Sequence, residues 1–402
     1  MAKVVIAAWG SRGDVAPLTD VGLRLQEAGH DVALTAPSGF GLTDLVTACG
    51  LRAIPVHFEI AGIVQLLSPK GIRSMGEALL GALVDEPADV LLLSPFCELA
   101  GHPLAEARDI PSIGVRMQPL TATKEYPPAL LGAWSAGPLL NRAAGGFATA
   151  AIDRIYAQPV ASFRKQLGLA RVAARTLHRR RTEAAWPILH GYSPAVVPRP
   201  SDWRRGLDVV GYWWSQPPVS WDPPEEVVTF LESGPPPVFI GFGSLMLSEK
   251  DRVRLAALVP EALRLARVRG IVQAGWAGLD VRSDDVLTIG EVPYDWLFNR
   301  VAAVVHSCGA GTVASGLRAG VPTVAIPEPG ADKMFWAKRL NDLGASAATL
   351  SRRKLTAERL AAAVAAAVSD PTYRDNAKRI ASLIATEVGA QKAVGAVERL
   401  LR

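Results

Sequence analysis

The stretch Val301-Ala302-Ala303-Val304-Val305-His306-Ser307-Cys308-Gly309-Ala310-Gly311-Thr312 decides the fold. An apolar run of strand length leads into a turn with two glycines, and a helical pattern follows it through Ala319. Glycines without a Cβ let backbone N–H groups come close to an anion, and a helix N-terminus adds partial positive charge. Such a turn suits a diphosphate without a metal ion. It also suits a tight strand-to-helix connection in which the glycines serve packing alone, and an isolated Gly-x-Gly leaves both readings open.

The same rhythm recurs on either side. Residues 238–241 and 271–274 read as strands and 251–268 as a helix, while in the first half 3–8, 31–35, 90–93 and 112–116 read as strands with a helix over 20–28. Strands alternating with helices imply parallel sheets with right-handed crossovers. Prolines crowd the stretch from 193 to 237, including Pro217, Pro218, Pro223 and Pro224, and mark a break between two α/β units. The expected architecture is α/β, with two Rossmann-like domains whose parallel sheets face an interdomain cleft. The first domain is expected over 1–214, a proline-rich linker over 215–236, the second domain over 237–380, and a C-terminal helix over 381–402 able to pack back on the first.

Composition agrees with two packed domains. The chain has 402 residues, of which 49% are hydrophobic and 20% charged, with a net charge of +5. The one dense basic run, Arg175-Thr176-Leu177-His178-Arg179-Arg180-Arg181, has no interleaved aromatics, so no nucleic-acid partner is expected. It reads as a solvated helix face or as a surface for anionic partners. Cys49, Cys97 and Cys308 have no metal-ligand spacing and form an odd set, which favours a reducing cytoplasm over a disulfide framework or a zinc site. The N-terminus reads as a buried first strand rather than a signal peptide, and the longest apolar stretches, such as 360–368, fall far short of the ~20 residues needed to cross a bilayer. A dinucleotide-dependent oxidoreductase is disfavoured, because both Gly241-Phe242-Gly243 and Gly309-Ala310-Gly311 lack the third glycine of Gly-x-Gly-x-x-Gly.

The run from 304 to 340, including Gly309-Ala310-Gly311-Thr312 and Asp332-Lys333, resembles the donor-binding signature of the UDP-glycosyltransferase family. Three further stretches share the resemblance: Gly10-Ser11-Arg12-Gly13-Asp14-Val15-Ala16-Pro17, Gly241-Phe242-Gly243-Ser244, and Gly290-Glu291-Val292-Pro293-Tyr294-Asp295-Trp296-Leu297-Phe298. Together they cover nearly the whole chain, and their pattern is similar to that of bacterial antibiotic glycosyltransferases and sterol glucosyltransferases. The resemblance implies a GT-B fold and metal-independent, inverting transfer of a sugar from a UDP- or dTDP-sugar to a hydroxyl of a lipophilic small molecule. No further cofactor is implied, and the protein is expected as a monomer or homodimer.

The resemblance also places roles. Asp14 matches the position of the base that takes the acceptor's proton, and its alternative reading is a cap for the first helix. Asp332 matches an acidic residue that binds sugar hydroxyls, Val292 a backbone contact to the nucleobase, and Gly243 and Ser244 a turn beside the phosphates. His306, Ser307, Gly309, Ala310, Gly311 and Thr312 form the diphosphate turn. Relatives carry a second His where Ser307 stands, a Gly where Cys308 stands and a Gln where Lys333 stands. Ser307 can donate one hydrogen bond but carries no charge, and Lys333 brings a cation to the sugar or phosphates. These departures point to an unusual donor or altered donor geometry, or to a nucleotide-sugar-binding partner protein that has lost transfer. The acceptor side is expected in irregular stretches of the first domain, where Ile63, Leu66, Leu67 and Trp134 fit an apolar pocket or the core equally well. Antibiotics, polyketides, sterols and glycolipids all suit such a pocket.

Overall fold

The computed structural model describes residues 1–39, 41–58, 67–135, 137–216, 220–243, 245–281, 283–328 and 332–402. The expected site residues Ile63, Leu66 and Ser244 lie outside the described residues. The first sheet comprises β1 (Lys3–Ala7), β2 (Asp31–Pro37), β3 (Arg52–Val56), β4 (Val90–Leu93), β5 (Ser112–Arg116), β6 (Ile188–His190) and β7 (Leu207–Val209). Their order is β3-β2-β1-β4-β5-β6-β7. The second sheet comprises β8 (Val238–Gly241), β9 (Gly270–Gln273), β10 (Val286–Ile289), β11 (Ala303–His306), β12 (Thr323–Ala325) and β13 (Ser346–Thr349), in the order β10-β9-β8-β11-β12-β13. All neighbours in both sheets run parallel. The central strands are buried apolar runs because helices cover both faces, as parallel sheets require.

Each sheet reverses its winding once, between β1 and β4 in the first and between β8 and β11 in the second. Ligands of open α/β sheets bind beyond the carboxyl ends of the strands at such switch points. The segments that follow β1, β4, β8 and β11 are therefore the ones the fold offers for chemistry.

Helix Arg12–Glu27 begins eight residues before the helix expected at 20–28, tolerating Pro17 in its interior. Asp14 thus lies in the first turn of a helix rather than in a loop after the first strand. The stretch expected as a linker, 215–236, contains helix Glu225–Glu232, whose Val227 is buried against Phe239, Ile271 and Val304 of the second domain. The preceding prolines start this helix at Pro224 rather than preventing it, since a missing N–H costs nothing at a helix N-terminus.

The boundary expected at 380/381 falls within helix Pro371–Ile384, whose Ile380 and Ile384 share a core with Trp336 and Leu340. The next helix, Gly389–Leu400, packs Ala393, Val394 and Val397 into the first-domain core with Val21, Leu25 and Leu34. The crossing is tight, because a Cβ on Gly389 would run into the carbonyl oxygens of Gly211 and Tyr212. Close by, Asp20 accepts hydrogen bonds from the Trp214 N–H at 2.9 Å and the Gln216 amide at 3.4 Å, fastening the outgoing chain to the first helix. Among the described residues no helix is long and apolar enough to cross a membrane.

Candidate active site

The carboxyl end of β1 is fixed by Thr35, whose hydroxyl accepts from Ala8 N at 2.9 Å and donates to Ala8 O at 2.8 Å. The chain then turns at Gly10, where φ is +144° and a Cβ would collide with the Asp14 carboxyl group. Asp14 Oδ2 accepts the Ser11 N–H at 2.8 Å and the Ser11 hydroxyl at 2.9 Å. The carboxyl caps its helix, as the alternative reading expected, and it also lines the cleft. Burial raises its pKa above the ordinary carboxylate value, the Ser11 bonds oppose the rise, and the charge of Asp332 adds to it. The side chain of Gln118 stands beside it.

Opposite, β11 ends at His306, which is fully buried. Its Nδ1 accepts the Cys308 N–H at 3.0 Å, and burial pushes its pKa down to about 4, so the ring is neutral. His306 does not line the cavity; it holds the turn from behind. Cys308 has φ of +63°, a left-handed conformation that a side chain resists and glycine accepts, which explains the glycine expected there. The Ser307 hydroxyl donates to the Phe242 carbonyl at 3.2 Å, joining the turn after β11 to the turn after β8. Its proton is thereby committed to the protein.

Helix Ala310–Arg318 starts at Gly309, and the first-turn N–H groups of a helix have no partners within it. Gly309 and Gly311 both have negative φ, and a Cβ on either would meet nothing within 4 Å. Neither packing nor backbone strain therefore demands glycine here. That disposes of the packing explanation left open by the sequence. The space in front of both glycines is open to the cavity.

Asp332 is the N-cap of helix Lys333–Asp342, and its Oδ2 accepts the Trp336 indole N–H at 2.7 Å. Burial raises its pKa. Lys333, beside it, is pushed down by burial, with Glu328 and Asp332 partly restoring it.

These groups converge on one cavity of about 2320 Å³ between the domains, well beyond the roughly 300–1,000 Å³ of a single-ligand pocket. It has room for two substrates. Asp14, Gly243, Val292, Ser307, Gly309, Ala310, Gly311, Thr312, Asp332 and Lys333 all line it, and Leu67 lines its first-domain side. Trp134 does not. Its indole N–H donates to Leu131 O at 3.0 Å on the outer surface, which corrects its expected place in the acceptor site.

Sequence reasoning missed several lining residues. Trp276 reaches the cavity after β9 without any motif, its backbone N–H donating to Gly243 O at 3.1 Å, whereas Gln118, which also lines the cavity, opens the irregular stretch 118–147 in which the acceptor side is expected. Arg12 and Glu291 form an ion pair of 2.6 Å across the mouth from opposite domains. The Gly-Ser-Arg-Gly-Asp and Gly-Glu-Val-Pro motifs contain both, but nothing in either sequence indicates that they meet.

Two facing parallel-sheet domains, with a capped carboxylate on one side of the cleft and an open glycine turn at a helix N-terminus on the other, define a glycosyltransferase of the GT-B fold. Residues 279–400 match the family described as "Erythromycin biosynthesis protein CIII-like, C-terminal domain". The chain is 33% identical over 417 residues to the O-mycaminosyltylonolide 6-deoxyallosyltransferase of Streptomyces fradiae, covering 98% of this chain and 97% of that protein. It is 31% identical over 429 residues to the sterol 3-beta-glucosyltransferase UGT80B1 of Arabidopsis thaliana, covering 99% of this chain and 68% of the plant protein. The solved glycosyltransferase of kitacinnamycin superposes with a TM-score of 0.74 at 18% identity, over 100% of this chain and 99% of that one. The chain belongs to the UDP-glycosyltransferase family, in the branch shared by antibiotic glycosyltransferases and sterol glucosyltransferases.

Proposed function

We propose that this enzyme passes a sugar from a UDP- or dTDP-sugar to a hydroxyl of a largely apolar small molecule, with inversion and without a metal ion. The observation that carries the reading is the pairing of an open glycine turn at the start of helix Ala310–Arg318 with Asp14 across the same cavity. The diphosphate lies at Gly309, Ala310, Gly311 and Thr312, where backbone N–H groups and the helix dipole receive the charge that develops as the nucleoside diphosphate leaves. Asp14 takes the proton of the acceptor hydroxyl as it attacks the anomeric carbon in line. An ordinary carboxylate, with a pKa near ~3.9, is a weak base toward an alcohol, and burial and the Asp332 charge strengthen this one. Asp332 accepts hydrogen bonds from sugar hydroxyls, and Lys333 supplies a cation that does not require the His absent at position 307. A cytoplasmic location fits this chemistry, because nucleotide sugars are made there.

A thermal-shift screen of UDP, dTDP and GDP and their sugars, with EDTA present, tests the donor half. Saturation at a hundred times Kd stabilises by ~2.7 kcal/mol, which such a screen resolves. A response to one nucleoside diphosphate supports the reading and names the donor class. No response to any of them rejects it. Binding without turnover on any acceptor leaves a nucleotide-sugar-binding partner protein instead.

A further inference from the structure

The basic run at 175–181 is not simply a solvated face. Arg179 pairs outward with Glu183 at 3.7 Å, but Arg175, Arg180 and Arg181 line the interdomain cavity on its first-domain side. Arg116 and Arg204 line the same end, with Glu98 and Asp153 as the nearby carboxylates. The cations there differ in how they are occupied. Arg116 is spent on Glu98 through two bonds of 2.8 Å, and Arg204 donates to the carbonyls of Trp186 and Arg205 at 2.8 Å each. The Arg181 carbonyl accepts the Trp186 N–H at 2.9 Å, but its guanidinium, in a side chain only partly exposed, makes no hydrogen bond or ion pair among the described residues. Glu98 and Asp153 act on it only through space, and Arg116 repels it.

A partly buried guanidinium that no described residue engages keeps its donors open to a ligand in the cavity, where a charged partner gains from the reduced hydration. The planar fork of an arginine matches a two-oxygen anion. Apolar and aromatic side chains, among them Trp186, Ile152 and Leu177, line the cavity together with these charged groups. We propose that Arg181 is the anion-binding residue of the acceptor site, and that the acceptor is an apolar molecule bearing one oxyanion (a carboxylate, sulfonate or phosphate ester) at the end remote from its reacting hydroxyl. Its role in holding an acceptor rests on the transferase reading; the anion site stands on the cavity and on Arg181.

The test uses two fluorescent probes that differ by one sulfonate, 8-anilinonaphthalene-1-sulfonate and N-phenyl-1-naphthylamine, titrated into the full chain and into Arg181→Ala, Arg181→Gln and Arg181→Lys. The anionic probe is expected to lose about tenfold or more in affinity in Arg181→Ala and Arg181→Gln, and less in Arg181→Lys. The neutral probe binds all four proteins alike, which also reports that the variants are folded. Absent binding of the anionic probe to the parent protein, unchanged affinity in Arg181→Ala and Arg181→Gln, or equal losses for both probes would overturn the proposal. The melting response to UDP and dTDP is measured in parallel. Lost nucleotide binding with intact anion selectivity rejects the transferase reading alone, and the converse rejects the anion site alone.

Discussion

Asp14 and Asp332 approach one another from opposite domains across the cleft, near enough that the Asp332 charge adds to burial in raising the Asp14 pKa. Asp332 is itself raised by burial. Two carboxyl groups held in this way gain from a cationic or hydrogen-bonding partner between them, and the hydroxyls of a sugar and an acceptor supply the hydrogen bonds.

The open space at Gly311 gives a test that separates folding from binding. Gly311→Ala places a Cβ where no protein atom lies within 4 Å, in a helix where alanine is favoured over glycine. Stability is expected to rise by about 0.4–1 kcal/mol, while affinity for the nucleoside diphosphate falls about tenfold or more because the methyl occupies the approach to the N–H groups. Calorimetric titration with UDP or dTDP alongside thermal melting reads both. Unchanged nucleotide affinity would show that the diphosphate lies elsewhere.

Ser307 stands where relatives carry a phosphate-binding His, yet its proton goes to Phe242 O. Ser307→Ala is therefore expected to cost about 1 kcal/mol of stability and to change nucleotide affinity by less than about fivefold. A loss of about fiftyfold with unchanged melting would make Ser307 a direct phosphate ligand.

His306 links stability to pH. Its folded pKa is lowered to about 4 from an unfolded value of about 6.5, so its contribution to stability is complete above about pH 6.5 and is lost as pH falls toward 4. His190, also fully buried and lowered to about 3, acts in the same direction. The melting temperature is expected to decline from pH 7 to pH 4, and His306→Asn, which keeps an acceptor for the Cys308 N–H, is expected to flatten part of that decline. An identical pH profile in the variant would contradict a neutral buried imidazole.

The sequence alone revealed the strand, glycine turn and helix at 303–318 and the strands β1, β2, β4, β5, β8 and β9, because parallel strands buried on both faces leave short apolar runs bounded by turn residues. It hid helix Glu225–Glu232, where prolines that start a helix read as prolines that prevent one. It misplaced the start of helix Arg12–Glu27, because the apolar periodicity is clear only from residue 20 on while the Ser11 and Asp14 pair supplies the cap. The residues expected on the donor side that line the cavity were legible because they cluster in short motifs. Trp276 was not, and although Gln118 and Arg181 lie in stretches the sequence singled out, their meeting in one cleft was not legible, because each reaches it from a different element and only the folded chain brings them together.

The most direct measurement is the rate of sugar transfer by Asp14→Asn, with nucleotide affinity and melting temperature recorded on the same protein. Asparagine keeps an acceptor for the Ser11 N–H and removes a carboxylate whose raised pKa marks it as costly to bury at neutral pH. The expected result is unchanged or higher melting temperature, unchanged nucleoside diphosphate affinity, and transfer reduced by about 10²–10⁴-fold. Transfer at the parent rate would contradict the role of Asp14 as base, and a collapse in melting temperature would reduce it to a helix cap.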